Sequence, residues 1–358
     1  VSNEWGSTTY PFDLGVTAHW HIEELPPLPD NDDWSWGHPV FGPDGRLYGT
    51  DFYDSKPSES GGEYRKVWLD EGSWKYEVIK EDAGGGPLAF DSRGRPAMSY
   101  SMSKGMWDLS GELHFIRKEG ESWVDQVVAP SQALLTVSDL FFDSQDRAVV
   151  PYTYYTGNQY EPGSKIAREV PGGWDIVDKP VGRVALRPDG SIVIATYRWP
   201  DPDETREALF YRETEDGWEE QVIVQAQGDG VANPKDIAID SSGYARIPLF
   251  AGSDLGLIMA REQPNGSFEL EPIIGYPEWA DEISFVLLPG DVDVLLFTSR
   301  SGGQTPIVGW NDGSGWSFED APLTGTAEDL SLLAGTIFSP VLILREKYAE
   351  PARIAVYW

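Results

Sequence analysis

Cysteine is absent from the 358-residue sequence. Its absence excludes disulfide bonds, metal sites built from thiolates and catalytic cysteine nucleophiles. Histidine is scarce as well, with 4 residues in the whole chain, and the sequence contains no His-x-x-x-His pair of the kind that binds metal on a helix. It also contains no glycine-rich phosphate loop and no Gly-x-Ser-x-Gly nucleophile elbow. Function must therefore be sought outside the most easily recognised motifs.

Positive charge is in short supply. The chain has 27 Lys and Arg against 59 Asp and Glu, which gives a net charge of −32. Such an excess repels other polyanions, so nucleic acid and anionic membranes are poor partners. The simplest interpretation is a solvated acidic surface suited to saline or extracellular conditions, and the alternative is an acidic field that attracts a cationic ligand.

Long hydrophobic runs are missing too. No segment approaches the stretch of about 18 apolar residues that indicates a membrane-spanning helix. The sequence starts at Val1 without a charged and then apolar leader, and we expect a mature or trimmed form of a secreted protein, extracellular or periplasmic. We also expect a monomer.

What the sequence does contain is a repeat. Its clearest copy, residues 88–100, reads as an apolar strand, an Asp-Ser-x-Gly turn and a second alternating strand. This pattern is typical of a β-hairpin whose turn glycine adopts positive φ. Degraded copies near 287–290 and 333–336 bring the total to seven. The turn aspartates of the five recognisable copies are Asp44, Asp91, Asp143, Asp189 and Asp240.

A second landmark runs in step with the first. Six of the seven repeats have a Gly-Ser-Trp type of turn before a short acidic strand, and we expect its aromatic residue to pack between neighbouring sheets. The third strands carry recurring arginines, and we expect these to pair with acidic residues of the fourth strands. The aromatic residues are Trp74, Trp123, Trp174, Trp218, Phe268 and Trp316, and the arginines are Arg117, Arg168, Arg212 and Arg261.

Four short antiparallel strands in each repeat of about 50 residues predict an all-β fold, a seven-bladed β-propeller. The last repeat lacks a fourth strand, and residues 18–25 resemble an orphan strand that would complete it and close the ring. The whole chain, 1–358, is then one domain. The predicted blades are 39–82, 83–130, 131–180, 181–225, 226–274, 275–323, and 324–358 joined by 8–26.

Aromatic residues that do not repeat are concentrated in the loops opposite the short turns. Sugar rings stack on Trp and Tyr, so these residues are candidates for substrate binding. The alternative is that they fill a wide channel mouth. The candidates are Trp34, Trp36, Tyr53, Trp107, Trp199 and Trp279.

Three arginines fall at equivalent positions after the second strands of three repeats. If Arg198, Arg300 and Arg345 converge, they could bind a carboxylate or sulfate and would supply a local positive field. The alternative is separate surface ion pairs with Asp201, Asp203 or Glu346.

His38 and Tyr155 are the candidate catalytic residues. Either could abstract the proton α to a uronate carboxylate held by arginines, the first step of β-elimination. Acidic loop residues such as Asp51 and Glu278 would permit glycoside hydrolysis instead. No cofactor is required by this chemistry. Residues 30–33 offer oxygen ligands for an optional Ca²⁺ but lack the spacing of an EF-hand.

The repeats resemble those of the sialidase-type, or BNR-like, propellers, a superfamily that includes sialidases, seven-bladed lectins and propeller polysaccharide lyases. The resemblance covers about residues 18–358 and rests on the Asp-Ser-x-Gly and Gly-x-Trp turns. The sialidase Asp-box is not matched, although residues 311–316 approach it, and seven repeats exceed the six of sialidases. The resemblance implies a carbohydrate ligand. A secreted polysaccharide lyase or hydrolase, a non-catalytic lectin and a protein-interaction propeller all remain open.

Overall fold

The fold is described from a computed structural model of the chain, in which the described residues form β-strands. The described residues contain 32 β-strands and no helix, and no helix that could cross a membrane was found among them. The described ranges are 2–3, 6–7, 20–24, 36–53, 63–71, 73–81, 85–103, 111–130, 135–155, 162–201, 205–227, 232–251, 256–274, 280–299, 306–321, 330–334, 342–346 and 353–357.

The first three strands lie before the repeats. Two of them form a small hairpin, and the third joins the last sheet of the chain. They are β1 (Ser2–Asn3), β2 (Gly6–Ser7) and β3 (Trp20–Glu24).

The first two repeats form four-stranded antiparallel sheets in which consecutive strands are neighbours. Sheet I consists of β4 (Trp36–Phe41), β5 (Leu47–Tyr53), β6 (Glu63–Asp70) and β7 (Ser73–Glu81). Sheet II consists of β8 (Leu88–Phe90), β9 (Pro96–Ser103), β10 (Gly111–Glu119) and β11 (Ser122–Pro130).

The next three repeats follow the same order, but the first strand of sheets III and V is interrupted, so that two short strands pair with the same neighbour. Sheet III consists of β12 (Leu135–Val137), β13 (Phe141–Phe142), β14 (Ala148–Tyr155), β15 (Pro162–Val170) and β16 (Gly173–Asp178). Sheet IV consists of β17 (Arg183–Leu186), β18 (Ile192–Asp201), β19 (Thr205–Thr214) and β20 (Gly217–Gln227). Sheet V consists of β21 (Ala232–Pro234), β22 (Ala238–Ile239), β23 (Ala245–Ala251), β24 (Leu257–Glu262) and β25 (Phe268–Ile274).

The last sheets hold the C-terminal strands. Sheet VI consists of β26 (Ala280–Leu288), β27 (Val292–Ser299), β28 (Ile307–Asn311) and β29 (Trp316–Asp320). Sheet VII consists of β30 (Leu330–Ala334), β31 (Leu342–Glu346), β32 (Arg353–Tyr357) and the N-terminal β3. In it β3 pairs antiparallel with β32, Trp20 opposite Tyr357 and Glu24 opposite Arg353.

The predicted Asp-Ser-x-Gly turns are confirmed as turns rather than sites. In sheet II, Asp91 Oδ1 accepts hydrogen bonds from the amides of Arg93 and Arg95 at 3.0 and 2.9 Å. Gly94 has φ of +75°, which a glycine adopts without strain. The carboxylate is used to hold its own turn. We call this end of each sheet the turn end and the opposite end the loop end.

Apolar side chains fill the space between successive sheets, because each sheet is apolar on both faces. Tyr64 and Met98 pack between sheets I and II, and Phe115 and Val150 between II and III. The interface between two successive sheets is called a seam. At the seam between sheets III and IV, Ile166 packs in one cluster with Ile194. Strand β30 of sheet VII contacts β26 of sheet VI and β4 of sheet I.

The aromatic residues of the second landmark pack as predicted where their side chains are described. Trp123 of sheet II donates its indole N–H to Glu77 of sheet I at 2.8 Å, and Trp218 of sheet IV donates to the carbonyl of Asp178 in sheet III at 3.0 Å. Each of these two aromatic side chains therefore joins its own sheet to the one before it.

The recurring arginines correct the prediction of pairing within a sheet. Arg117 donates to Glu169 of the following sheet at 2.8 Å, and Arg212 reaches Glu262 of the following sheet at 3.0 Å. Arg261 pairs with its own fourth strand through Glu271 at 2.8 Å, but also with Asp293 of the following sheet. The third strand lies close enough to the next sheet for a long guanidinium to cross the seam, which the sequence pattern does not reveal.

Candidate functional site

The strands extend further towards the loop end than predicted. Residues assigned to loops by sequence lie in strands, because backbone pairing continues beyond the apolar alternation: Tyr53 pairs with Glu63, and Tyr155 with Pro162. The loop assignment is therefore wrong for several candidates, although each lies at the loop end of its sheet. They are Trp36 and His38 in β4, Tyr53 in β5, Tyr155 in β14, Arg198 and Trp199 in β18, and Arg345 in β31.

Four candidates, Trp34, Trp107, Trp279 and Arg300, lie outside the described residues. The suggested calcium ligands at 30–33 do so as well. Convergence of the three arginines and the sugar-binding role of the aromatic residues therefore stay predictions.

Arg198 is the candidate whose side chain is described. Its Nε and Nη2 donate to one oxygen of Glu207 at 3.1 and 2.7 Å, and Nη1 lies 2.9 Å from Glu220. Gln225 donates to the other oxygen of Glu207 at 2.7 Å. Arg198 therefore forms ion pairs, as the alternative interpretation had it, but with partners on its own sheet other than those predicted.

A cluster of charged residues lies at the first strands of sheets III, IV and V. We call Asp139, Lys179, Arg183 and Asp236 the first-strand cluster. Asp139 and Asp236 fall where the first strands of sheets III and V are interrupted, and Arg183 begins β17 between them. Both aspartates are half-buried, Arg183 is exposed and Lys179 is buried.

Asp236 links sheets V and VI by hydrogen bonds, and the pKa of its carboxyl is raised. Its Oδ1 accepts a hydrogen bond from the Ile237 amide at 2.9 Å, and its Oδ2 accepts one from the Phe285 amide of sheet VI at 3.3 Å. Burial raises the pKa of this carboxyl to about 6; the two amides and Arg183 oppose the shift, and Asp139 adds to it. A carboxyl with such a pKa can accept or donate a proton near neutral pH.

Lys179 precedes the first strand of sheet IV. It is 9% exposed, and its Nζ donates to the carbonyl of Pro180 at 3.1 Å. Burial lowers the pKa of its ammonium group to about 8, and the opposing charge of Asp139 does not cancel this effect. The cluster thus combines two carboxyl groups with two cations, the groups needed for acid–base chemistry on an anionic substrate.

Sequence reasoning missed this cluster, although a signal was present. When the repeats are aligned on the first residue of the turn between strands one and two, the position four residues earlier is His38, Pro87, Asp139, Arg183 and Asp236 in sheets I to V. Ionisable residues at a position that should be apolar in a buried strand mark it as exceptional. His38, predicted as catalytic, occupies the same repeat position.

A second polar network joins sheets I and II. His114 of β10 is 6% exposed and lies 3.0 Å from Asp125 and 3.3 Å from Glu112. Asp125 also accepts hydrogen bonds from Tyr100 at 2.8 Å and Lys80 at 2.9 Å. These groups satisfy one another across the seam, so we assign them a structural role.

A shallow pocket of about 430 Å³ lies at the turn end of sheets III to V. Its lining polar groups are used within the fold: Asp143 holds its own turn, and Arg187 pairs with Glu262 at 2.6 Å. Among the described side chains, no group of three His, Asp or Glu residues is arranged to hold a metal ion.

No protein-family model and no curated protein matches the chain. Solved structures do. The chain is similar to the β-propeller domain of the Trilobed protease from Pyrococcus furiosus, with 10% identity over 90% of this chain and 92% of that one and a TM-score of 0.58.

Two further structures are similar. One is an ulvan lyase of a new family of polysaccharide lyases, at 12% identity over 89% of this chain and 93% of that one, with a TM-score of 0.51. The other is the acylaminoacyl peptidase of Pyrococcus horikoshii, at 11% identity over 87% of this chain, with a TM-score of 0.53; the chain spans 48% of that protein. At these identities the likeness shows the fold alone, a β-propeller.

Proposed function

We propose that sheets I to VII form a closed seven-bladed propeller with the predicted blade boundaries, in which β3 completes the last blade. The antiparallel pairing of β3 with β32 and the contacts of β30 with β4 and β26 support this arrangement. Closure would also remove the free edges that a sheet protein must otherwise protect. The turn landmarks favour membership of the sialidase-type superfamily.

On this scaffold we propose a secreted, monomeric enzyme that acts on a uronate-containing polysaccharide at one site. The observation that carries the proposal is the Asp236 carboxyl, half-buried at the first strand of sheet V with a pKa near neutrality and with Arg183 nearby. A group poised in this way is typical of acid–base catalysis. The fold shared with a polysaccharide lyase supports the proposal.

The reaction we propose is β-elimination. A base removes the proton α to the uronate carboxylate, the bond from the β carbon to the glycosidic oxygen breaks, and the electron pair leaves with that oxygen. A double bond forms in the ring, and an acid returns a proton to the leaving oxygen. Asp236 is suited to one of these proton transfers and His38 or Tyr155 to the other, while cations stabilise the charge that develops on the carboxylate. No cofactor enters these steps, and Ca²⁺ is an optional structural ligand.

Incubation with a panel of acidic polysaccharides tests the proposal. We expect unsaturated uronate absorbance with at least one substrate, and a loss of about 100-fold or more in turnover for Asp236→Asn. Asp175→Asn, which removes an equal charge from an exposed strand residue of sheet III, is the matched control and should retain full turnover.

Other outcomes would assign other functions. Reducing ends without unsaturated product would indicate hydrolysis. Glycan binding at several equivalent sites without product would indicate a lectin. The absence of both product and glycan binding would favour a protein-interaction propeller.

A further inference from the structure

We propose that Lys179 and Arg183 form an anion-binding subsite that takes the carboxylate or sulfate ester of an acidic sugar. The inference rests on the proposed function, because it assigns the residues that would recognise the charged group of the substrate.

The first argument is the state of the other cations. In a protein of net charge −32, described arginines are commonly paired with carboxylates, as Arg95 is with Glu119 at 2.6 Å and Arg187 with Glu262 at 2.6 Å. Within the described part of the chain, neither Lys179 nor Arg183 forms such a pair. Lys179 and Arg183 therefore differ from these arginines in having no carboxylate at ion-pair distance among the described residues, although the charges of Asp139 and Asp236 act on them.

The second argument is the burial of Lys179. An ammonium group has three donors, and among the described residues the Pro180 carbonyl is the acceptor that Lys179 Nζ reaches. Burying a charge costs free energy, and the lowered pKa of Lys179 shows that the opposing charge of Asp139 does not cancel this cost. An incoming carboxylate or sulfate would supply the missing acceptor and counter-charge, with the exposed Arg183 as its second ligand.

Two carboxyl groups face these cations and set the pH dependence. Asp139 faces Lys179 and both Asp139 and Arg183 face Asp236, so a bound anion competes with them. Asp236 gains a proton below about pH 6, which reduces the competition, and Lys179 loses its proton above about pH 8. We expect anion affinity to rise as the pH falls towards 6 and to fall as the pH rises above 8.

The test is an NMR-detected titration of the whole protein with glucuronate, with glucose sulfate and, as the neutral probe, with glucose. We expect the two anions to bind and glucose not to. Arg183→Gln and Lys179→Met should each weaken anion binding about tenfold or more. Lys75→Met, which removes an exposed lysine of sheet I that is also unpaired among the described residues, should bind as the unmodified protein does.

Each outcome has a meaning. Equal affinity in Arg183→Gln and Lys75→Met, or no anion binding by the unmodified protein, would overturn the subsite. Preference between glucuronate and glucose sulfate would identify which anion it takes. The probes are not cleaved, so binding and turnover are tested separately. Anion binding with no turnover of any polysaccharide would refute the proposed enzyme and support the subsite. Turnover without anion binding would support the enzyme and refute the subsite.

Discussion

Among single residues, Asp236 is the clearest case of a group whose ionised form costs stability at neutral pH, a cost that its proposed acid–base role would explain. Its folded-state pKa of about 6 lies above the ordinary value of 3.8, so the folded state binds the proton more tightly than the unfolded state. This contribution is therefore most favourable at low pH and is lost as the pH rises from about 4 to about 6.

We expect Asp236→Asn to be more stable than the unmodified protein by about 2 kcal/mol at neutral pH, with the difference disappearing by about pH 4. Urea denaturation of both proteins across this pH range measures it, with Asp175→Asn as the control. A destabilised Asp236→Asn at neutral pH would show that the carboxylate is a needed acceptor rather than a strained acid.

Asp146 stands where other repeats have a turn glycine. It has φ of +59°, and its carboxylate accepts hydrogen bonds from the amide and hydroxyl of Ser92 in the preceding sheet, both at 2.8 Å. Asp291 repeats the arrangement with Ser241. The aspartate therefore adopts a strained positive φ, and its carboxylate gains hydrogen bonds to the preceding sheet.

We expect Asp146→Gly to lower the urea midpoint although glycine suits the backbone, because both hydrogen bonds to Ser92 are lost. In a Ser92→Ala background the same substitution should cost less. An Asp146→Gly protein with an unchanged or higher midpoint would mean that backbone strain outweighs the bonds.

At the scale of the strand and its seam, Glu77 of β7 bridges sheets I and II. It accepts hydrogen bonds from Lys118 at 2.5 Å and from Trp123 at 2.8 Å, and it pairs with Lys66 at 2.9 Å. Burial acts to raise the pKa of this carboxyl, but the bonds from Lys118, Lys66 and Trp123 outweigh it and lower the pKa to about 2. The stabilisation is present above about pH 4.5 and is lost as the pH falls towards 2.

We expect Glu77→Gln to lower the free energy of unfolding by about 1 kcal/mol at neutral pH, a modest amount because solvent screens this partly exposed group. The loss should shrink as the pH falls below about 4. Thermal unfolding at several pH values measures it, and the exposed Glu121→Gln is the control. An equal loss at all pH values would rule out the charge as the cause.

Strand-level features were predictable to the extent that they repeat. The turn at Asp91 and the packing of Trp123 follow from local turn chemistry and from recurrence along the chain. The partner of Arg117 could not be predicted, because it depends on the distance between sheets and not on strand order. Strand ends such as Tyr155 were missed because backbone pairing requires no apolar alternation.

For the whole molecule, the sequence predicts the β-propeller fold from its repeat, whereas the first-strand cluster was recognised in the structure, although Asp139, Arg183 and Asp236 share one repeat position. Asp139 and Asp236 are about a hundred residues apart and look like any other acid in so acidic a chain. Their shared position becomes meaningful when the interrupted strands are seen. His38 was predicted as catalytic because it is the one histidine that the sequence assigns to a candidate site loop, and the repeat alignment places it at the same position as Asp139, Arg183 and Asp236.

We expect deletion of residues 1–26 to destabilise the protein by several kcal/mol and to promote association, because β32 would keep β31 but lose β3 on its other side and become an exposed edge. Deletion of residues 1–7, which removes only the small β1–β2 hairpin, should have little effect. Urea unfolding of the two truncated proteins measures their stability, and light scattering measures their association. Unchanged stability without residues 1–26 would refute closure by β3.

The arginine bridges all point the same way along the chain, from Arg117 to Glu169, Arg168 to Glu213, Arg212 to Glu262 and Arg261 to Asp293. The contacts between these sheets are thus directional: each sheet supplies the arginine and the next sheet supplies the carboxylate. A cut between two of these sheets leaves a guanidinium without its carboxylate on one fragment and a carboxylate without its guanidinium on the other. Two such fragments should therefore recombine in a single orientation, which makes the protein suited to splitting into complementary halves.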